Sequence, residues 1–477
     1  MLLSVVFGAA ILGAAAAPTD PSPRAPARVV ALDVHRAPVS NPVKRDRLRR
    51  RGTVQASLDN LQTLYFANGS LGTPAQSVRM HLDTGSSDLW VNFEDSALCQ
   101  SSSDPCAQSG TYNPNASSTY SYVGSYFNIT YMDGTSAAGD YVTDTFSLGG
   151  STLSDFQFGI GYSSSSSQAI LGIGYPANEV QVGRAGLDPY ANLPQKMVDE
   201  NLIPSRSFSL YLNDLDASTG TLLFGGVDSE KYEGDLATVP IQSQNGVYSE
   251  FLVTLTGLAM GNTSLASNMA QAVLLDSGSS LTYLPNEIAS AIYTSVDAYF
   301  LESEQVAFVP CNIASSAENT LTFTFSGPSI TVAMDELVLA VQDVQGNDVT
   351  FTNGQQACLF GIAPANTSTV VLGDTFLRSA YVVYDLDRNE ISLAQTKFNT
   401  TASNVQEIAA GDATVPGATA VSNPVQATAG VVQGSQSGSS QSSAAASNSA
   451  AASSLHAIAL SVALASLVVS VTGLIAI

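Results

Sequence analysis

The chain has 477 residues, 45% of them hydrophobic, and carries 40 acidic against 17 basic residues, a formal charge of −23. This length suits one large domain or two ordinary ones with a sizeable core. Because phosphate binding needs a basic surface, the charge excludes nucleic acid as a partner. Frequent Ser, Thr, Val, Tyr, Phe and Gly with few Lys, Arg and Glu favour short strands, so we expect an all-β protein.

The beginning of the chain has the features of a processed leader. Residues 1–17 form an apolar run ending in AAAA, typical of a secretory signal peptide but without a basic start; an uncleaved anchor is the alternative. Residues 18–51 carry nine Lys or Arg and three Asp or Glu, with basic clusters at 44–45 and 49–51. We interpret them as a basic propeptide that docks across an acidic cleft until a protease specific for dibasic sites removes it. A solvated basic tail is the alternative.

Two apolar segments run directly into an aspartate that is followed by a tight turn. The sequences are HLDTGSSDLWV, containing Asp83, and AVLLDSGSSLTYL, containing Asp276. Each is followed at a similar interval by two apolar residues and a glycine, ILG ending at Gly172 and VLG ending at Gly373. One Asp-Thr-Gly is commonly an Asx turn at a strand end. Two, each with the same second signal, indicate a functional pair.

The cysteines and sequons agree with secretion. Cys99 and Cys106 form a close pair and Cys311 and Cys358 a wider one, so two disulfides are expected, although the sequence alone permits three connectivities. Zinc is the alternative, but there is no His/Cys cluster, and we expect no metal or other cofactor. Six sequons are candidate glycosylation sites, at Asn68, Asn115, Asn128, Asn262, Asn366 and Asn399.

Histidine is too scarce for one class of mechanism. His81 is the only histidine between the basic segment and the C-terminal tail, so a Ser-His-Asp or Cys-His nucleophile has no other imidazole base. On a strand, His81 shares a face with Asp83, two residues further on. We interpret His81 as a packed, hydrogen-bonded residue; a catalytic role is the alternative.

The end of the chain has the features of a surface anchor. Residues 401–448 are rich in Ser, Ala, Gly and Gln and predict a flexible stalk. Residues 457–477 are uncharged and mostly apolar, and as a helix they would span about 31 Å. Together with the small residues before them they fit a GPI-attachment signal, residues 449–477, with Asn448 as the attachment residue. A retained transmembrane span is the alternative.

Several stretches carry a family resemblance in their order and spacing: LGTPAQSVRMHLDTGSSDLWV, TYNPNASSTY, NITYMDGTSAAGD, GTLLFGGVDSEKYEGDLATVPI and VVLGDTFLRSAYVVYDLD. Over about residues 60–398 the chain resembles a pepsin-family (A1) aspartic protease. The resemblance implies a peptidase domain, residues 52–400, with a bilobal double β-barrel of pseudo-two-fold symmetry. The cleft would lie between lobes at about 60–228 and 239–398. The leader, stalk and tail resemble those of the GPI-anchored fungal yapsins and candidapepsins.

The resemblance also implies a role for each active-site residue. Asp83 and Asp276 would form a catalytic pair that shares one proton, because two carboxylates about 3 Å apart cannot both ionise cheaply. The supporting residues would be Thr84 and Ser277, which cross-link the loops, Gly85 and Gly278, which allow close approach, and Ser86 and Ser279, which bond the outer carboxylate oxygens. Ser277 replaces the threonine that the family usually has, which keeps the hydroxyl and removes a methyl contact.

A hairpin over the cleft is the last implied feature. Tyr131 matches the flap tyrosine and Trp90 is spaced to hydrogen-bond it; a cross-strand aromatic is the alternative for Tyr131. Met132 departs from the small residue that the family often has there, so the resemblance does not extend to this position of the flap. Asp133 matches an aspartate of fungal relatives that pairs with a basic substrate residue, or it serves only as the turn former of the Asp-Gly hairpin.

These features predict a secreted aspartic endopeptidase that cleaves proteins or peptides at acidic pH. We expect a monomer, GPI-anchored at the plasma membrane or cell wall, with a preference for basic residues. The alternatives are a catalytically silent binding protein of the same fold and a structural cell-wall glycoprotein. Both aspartates, both loop glycines and the flap tyrosine occur together, which argues against the first, and the repeated loops argue against the second.

Overall fold

The computed structural model describes residues 27–39, 61–131, 134–343, 346–366, 369–411 and 414–431. The strands are β1 Val30–Val39, β2 Leu61–Leu71, β3 Gln76–Asp83, β4 Leu89–Asn92, β5 Ser121–Thr130, β6 Ser136–Leu148, β7 Ser151–Ser164, β8 Ala169–Gly172, β9 Ser207–Tyr211, β10 Thr219–Phe224, β11 Gly226–Asp228, β12 Tyr232–Pro240, β13 Leu252–Met260, β14 Thr263–Leu275, β15 Thr282–Leu284, β16 Tyr299–Leu301, β17 Val306–Pro310, β18 Leu321–Thr324, β19 Ser329–Val332, β20 Val338–Leu339, β21 Ala357–Phe360, β22 Ile362–Pro364, β23 Val370–Leu372, β24 Ala380–Asp385, β25 Glu390–Thr396, β26 Val405–Glu407 and β27 Ala418–Ala420. The helices are α1 Val180–Ala185, α2 Leu193–Asp199, α3 Asn286–Ser295 and α4 Asp374–Leu377. The predicted all-β class is confirmed.

The first half of the chain closes into a barrel of six strands. The order is β2-β3-β8-β4-β7-β6, and β6 pairs again with β2, where Leu71 lies opposite Phe146. Along the second part of β6, buried and half-buried residues alternate, as expected for a sheet with one face toward a core. The barrel interior is filled by buried aliphatic side chains, among them Met80, Leu82 and Ile160.

The second half repeats the centre of this arrangement. In the first half, β3 runs parallel to β8, and β4 runs antiparallel to β8 and parallel to β7. In the second, β14 runs parallel to β23, and β15 runs antiparallel to β23 and parallel to β22. The ILG and VLG segments are therefore the strands that pair with those leading to Asp83 and Asp276. The duplicated sequence signal reflects a duplicated topology, and strands β13 to β23 form a seven-stranded and a four-stranded sheet.

A shared sheet joins the two halves. Strands β27, β12, β25, β24, β9, β10 and β1 continue from β2, with β9 and β10 contributed by the first half and β12, β24 and β25 by the second. Phe208 packs on Tyr384 and Phe251 across the halves, with ring centroids 4.7 and 5.9 Å apart. The two halves share one buried core, which holds the two aspartate loops in a fixed relation.

Part of the predicted propeptide is a strand of this shared sheet. Strand β1 pairs antiparallel with β10 on one side and with β2 on the other, and its Leu32 and Val34 are buried. None of residues 27–39 lines the cleft described below, so for these residues the prediction of docking across the cleft is wrong. The alternation of apolar residues in this segment favours sheet pairing, which an argument from charge alone overlooked. Residues 18–26 and 40–51 lie outside the described residues.

The beginning of the predicted stalk is folded, and we call residues 401–431 the strap. Strand β26 pairs with β11, β27 pairs with β12, and Ala272 donates its N–H to the carbonyl of Ala429 at 2.8 Å. Ile408 and Val415 are buried in an apolar cluster of the body. The prediction of a flexible stalk from residue 401 is therefore wrong for the described part of the strap. A few well-spaced apolar residues anchor a segment whose average composition is typical of disorder.

The covalent and surface features can be compared with the sequence directly. Both predicted disulfides are confirmed, Cys99–Cys106 and Cys311–Cys358, with Cα atoms 5.2 and 5.0 Å apart. All six sequon asparagines are exposed: Asn68, Asn115, Asn128, Asn262, Asn366 and Asn399. Within the described ranges, no helix is long and apolar enough to cross a bilayer. The predicted signal peptide, residues 432–448 of the predicted stalk with Asn448, and the tail lie outside the described residues.

Candidate active site

The two aspartates of the repeated motif lie in one cleft. Asp83 ends β3 and Asp276 follows β14, so each comes at the carboxyl end of a strand at the centre of its half. Their exposed fractions are only 1% and 6%. Both line a cavity of about 330 Å³, together with residues of the β5–β6 hairpin and of the helix α1 region. The fold therefore brings together two residues that are 193 positions apart.

The first carboxylate is held by its own loop. The N–H of Gly85 donates to Asp83 Oδ1 at 2.9 Å, and the Ser86 hydroxyl donates to Asp83 Oδ2 at 2.6 Å. Such bonds favour the ionised form of a carboxyl group and fix its orientation. Each oxygen thus has a donor from the turn that follows the strand.

The second carboxylate is held in the same way. The N–H of Gly278 donates to Asp276 Oδ1 at 2.8 Å, and the Ser279 hydroxyl donates to Asp276 Oδ2 at 2.7 Å. The two aspartates therefore have equivalent local surroundings, as the repeated Asp-(Thr/Ser)-Gly-Ser sequence predicts.

The loop glycines leave room for the partner carboxylate. A Cβ atom on Gly278 would lie 2.3 Å from Asp83 Oδ1, and one on Gly85 would lie 2.6 Å from Asp276 Oδ1. Both distances are far shorter than a van der Waals contact, so any larger residue would displace a carboxylate. Each loop backbone passes close to the aspartate of the other half, which places both carboxylates where the two loops meet.

The second residues of the two motifs cross-link the loops. The Ser277 hydroxyl accepts the N–H of Thr84 at 3.2 Å and donates to the carbonyl of Leu82 at 3.1 Å. In return, the Thr84 hydroxyl accepts the N–H of Ser277 at 3.0 Å and donates to the carbonyl of Leu275 at 2.9 Å. The reciprocal network is buried, and the serine in place of threonine retains both of its hydrogen bonds.

The predicted flap tyrosine borders the cleft. Tyr131 directly follows β5 and lines the cavity, and its hydroxyl accepts a hydrogen bond from Trp90 Nε1 at 2.7 Å. Trp90 is fully buried, so it fixes the tyrosine from below. Met132 and Asp133 lie outside the described residues.

His81 does not reach the cavity. Its ring is buried and packs at 5.6 Å from the ring of Phe66, and it is not among the cavity-lining residues. This arrangement agrees with the interpretation of a packed histidine rather than a catalytic one. Among the residues that the structure describes, no group of three or more His, Cys, Asp or Glu could hold a metal ion.

The sequence analysis missed two further acids of the cleft, Asp88 and Glu179. Asp88 directly follows the first motif, and its oxygens accept hydrogen bonds from Tyr141, Tyr190 and the Val180 N–H. Burial raises the pKa of Asp88, while these three hydrogen bonds act in the opposite direction. Glu179 precedes α1 and is 91 residues from Asp88, so no local pattern marks the pair. One signal in the sequence points to Glu179: it is an acidic residue in the segment that follows the ILG motif strand.

Comparison with known proteins agrees with the geometry of the cleft. Residues 64–396 match the family model described as eukaryotic aspartyl protease. The chain is 58% identical over 415 residues to the protein named probable aspartic-type endopeptidase opsB of Aspergillus oryzae, which covers 85% of this chain and 84% of that protein. It is 38% identical over 361 residues to secreted aspartic protease 8 of Candida albicans, covering 74% of this chain and 81% of that protein.

A solved structure supports the same fold. The crystal structure of an aspartic proteinase from Irpex lacteus superimposes with a TM-score of 0.58 at 20% identity, over 78% of this chain and 100% of that one. The likeness at this identity concerns the fold alone, whereas the matched family model and the identity to the curated relatives concern the family. The chain belongs to the eukaryotic aspartyl protease family and is an aspartic-type endopeptidase of pepsin-like fold.

Proposed function

We propose that Asp83 and Asp276 are the catalytic pair and share one proton. The observation that carries this proposal is the close approach of each carboxylate to the opposite loop glycine, at distances that leave no space for a side chain. Two buried carboxylates at such proximity ionise in two separate steps, which leaves one protonated and one charged over an acidic pH range.

With one shared proton, one carboxyl group acts as a base and the other as an acid. The charged carboxylate accepts a proton from a water molecule, whose oxygen attacks the carbonyl carbon of the scissile peptide bond. The protonated carboxyl donates a hydrogen bond to the carbonyl oxygen, and a proton reaches the amine nitrogen when the C–N bond breaks. The flap with Tyr131 closes over the peptide and excludes other water. The proton belongs to the pair as a whole, so it is not assigned to either aspartate before the substrate binds.

The test uses the enzyme released from its cell surface. We expect cleavage of a denatured protein between pH 3 and pH 6, with loss of cleavage when the aspartic-protease inhibitor pepstatin is added. A binding protein of the same fold would bind pepstatin without cleaving, and a structural glycoprotein would do neither. Cleavage that persists in pepstatin would contradict the proposal.

Substrate preference is the second part of the proposal. Asp133, two residues after the flap tyrosine, would pair with a Lys or Arg next to the cleaved bond. An enclosed charge pair of this kind would favour the basic residue by about 1 to 3 kcal/mol, roughly 5- to 150-fold. The measurement is the ratio of kcat/KM for matched peptides with Lys or Leu before the cleaved bond, in the parent and in Asp133→Asn. An unchanged ratio would exclude Asp133 as the selector.

Maturation and location form the third part. The leader of charge +6 would be removed at its basic clusters, residues 44–45 or 49–51, by a dibasic-specific protease. Strand β1 of the leader pairs with β2 and β10 in the shared sheet, so removal of the leader would require this strand to leave the sheet. A monomeric, glycosylated enzyme would then be held at the membrane or wall by a GPI anchor at Asn448. Sequencing of the mature N-terminus and release by a phosphatidylinositol-specific phospholipase test these steps separately; retention of Pro18, or no release, would contradict them.

A further inference from the structure

Asp88 and Glu179 form an acidic recess in the wall of the cleft. Both line the same cavity as the aspartate pair and Tyr131, and the side chains are each only 1% exposed. Tyr190 joins them: its hydroxyl donates to Asp88 Oδ1 at 2.9 Å, and its N–H donates to Glu179 Oε2 at 2.8 Å. The recess is a built feature, because residues from three separate parts of the chain converge on it.

The two acids differ in how well they are satisfied. Asp88 accepts hydrogen bonds on both oxygens, from two tyrosine hydroxyls and the Val180 N–H at the start of α1. Glu179 accepts only the Tyr190 N–H, and its Oε1 is buried without a hydrogen-bond partner. A buried polar atom without a partner is unfavourable and is rare in folded proteins. Because Glu179 lines the cleft, a bound peptide can supply the missing partner.

We propose that Glu179 is a specificity-determining residue that pairs with the ammonium or guanidinium group of a basic substrate side chain. This inference rests on the proposed function of the same cleft. It adds to Asp133 a second acidic residue that recognises basic side chains of the substrate. Asp88 holds the α1 end and Tyr190 in place, and Glu179 makes the contact. When a cation enters the recess, a protonated Glu179 can lose its proton to solvent, so the charge in the recess stays balanced.

The ionisation of Glu179 agrees with this exchange. Burial raises the pKa of Glu179 from 4.5 to about 9, and the charge of Asp88 adds to the increase, against the effect of the Tyr190 hydrogen bond. Glu179 is therefore neutral under acidic conditions when no cation lies beside it. A cation within hydrogen-bond distance favours the carboxylate. Basic substrates should consequently bind better as the pH rises, whereas apolar ones of the same length should not.

The groups that surround Glu179 should not obscure the pH dependence of the preference for basic substrates. Tyr141 and Tyr190 have pKa values raised by burial and by Asp88, so they remain neutral donors. Among the residues that the structure describes, the other charged groups lining the cleft are Arg184 on α1, an exposed residue that bonds Asn128, and Asp83, Asp276 and Glu250. The aspartate pair is common to both peptides, so any effect that it has equally on both cancels in the ratio between them.

The experiment compares Lys with norleucine, its uncharged analogue of similar length, at each of four positions before the cleaved bond. The ratio of kcat/KM for the two peptides is measured at pH 4, 5 and 6. At the position that Glu179 reads, the ratio should rise by up to about tenfold per pH unit, the limit for one released proton. In Glu179→Gln, which can still accept the Tyr190 N–H, the ratio should be flat. Glu250→Gln removes a charge from the same cleft and should keep the slope.

A second measurement needs no variant. A statine-containing peptide with Lys or norleucine at that position is titrated into the native enzyme in two buffers of different ionisation enthalpy. The Lys peptide should release about one proton more than the norleucine peptide. Absence of cleavage of every peptide would refute the proposed function itself. Cleavage with a ratio independent of pH, with the slope retained in Glu179→Gln, or with the slope lost only in Asp133→Asn would overturn the role of Glu179.

Discussion

Replacement of Ile408 by alanine tests whether the strap is part of the folded enzyme. The Ile408 side chain is 0% exposed and packs with Val227, Val383 and Val415, at the point where the strap leaves β26. Removing a buried isoleucine to alanine costs about 2–5 kcal/mol, because apolar contacts are lost and a cavity remains. The Ile408 N–H bond to the Gly225 carbonyl, 2.9 Å long, does not depend on the side chain and should persist.

Val405→Ala is the matched control, since this residue lies on the same short strand but is 36% exposed. We expect its effect to be within about 0.5 kcal/mol. Urea unfolding of both variants is followed in the Asp83→Asn background, which should prevent self-digestion. Equal unfolding midpoints for the two variants would refute the packing of the strap and restore the expectation of a flexible segment from residue 401.

Three further predictions concern the loops, the flap and the pH dependence of stability. Ser277→Ala should lower the free energy of unfolding by about 2–5 kcal/mol, because it leaves the buried Thr84 N–H and Leu82 carbonyl without a partner, whereas Ser277→Thr, which keeps the hydroxyl, should cost much less. Trp90→Phe removes the hydrogen bond to Tyr131 and should reduce kcat/KM by roughly 2- to 10-fold, with no additional loss in the double variant with Tyr131→Phe; additive losses would contradict a shared role. Because folding raises the pKa of Glu179 from 4.5 to about 9, its contribution to stability is complete below pH 4.5 and is lost as the pH rises through 9, by up to about 1.4 kcal/mol per pH unit. Denaturation curves of Glu179→Gln should have a shallower decline over this range, and an identical decline would contradict the assignment.

The residues of the site that could be predicted from the sequence lie within short segments that occur twice in the chain. The turns at Asp83 and Asp276 combine a strand, an aspartate and a glycine within a few residues, and their duplication separates them from ordinary turns. The Trp90–Tyr131 bond was also anticipated, but from family resemblance rather than from spacing alone. The closure of the first half into a barrel depends on pairing between strands far apart in sequence, which local patterns do not encode.

The features that could not be predicted from the sequence depend on a few residues in segments whose overall composition indicates nothing about them. Ile408 and Val415 anchor a strap that is otherwise Ser- and Ala-rich, and average composition conceals them. The charge of residues 18–51 predicts docking across an acidic cleft. The pairing of β1 in the shared sheet depends instead on alternating apolar residues. Asp88 and Glu179 come together at Tyr190 only because the residue before β4 and the segment before α1 both reach the cleft wall. Tertiary placement, rather than any motif, creates the recess.

The activity of the Asp83→Asn, Asp276→Asn and double variants is the most direct test of the central claim. Each substitution keeps the size of the side chain and removes its charge, so circular dichroism should show an unchanged fold. If the two carboxylates act as one unit through a shared proton, each single variant should lose kcat/KM to the background level, and the double variant should lose no more. A single variant that retains more than a few per cent of the parental kcat/KM while folded would contradict the claim.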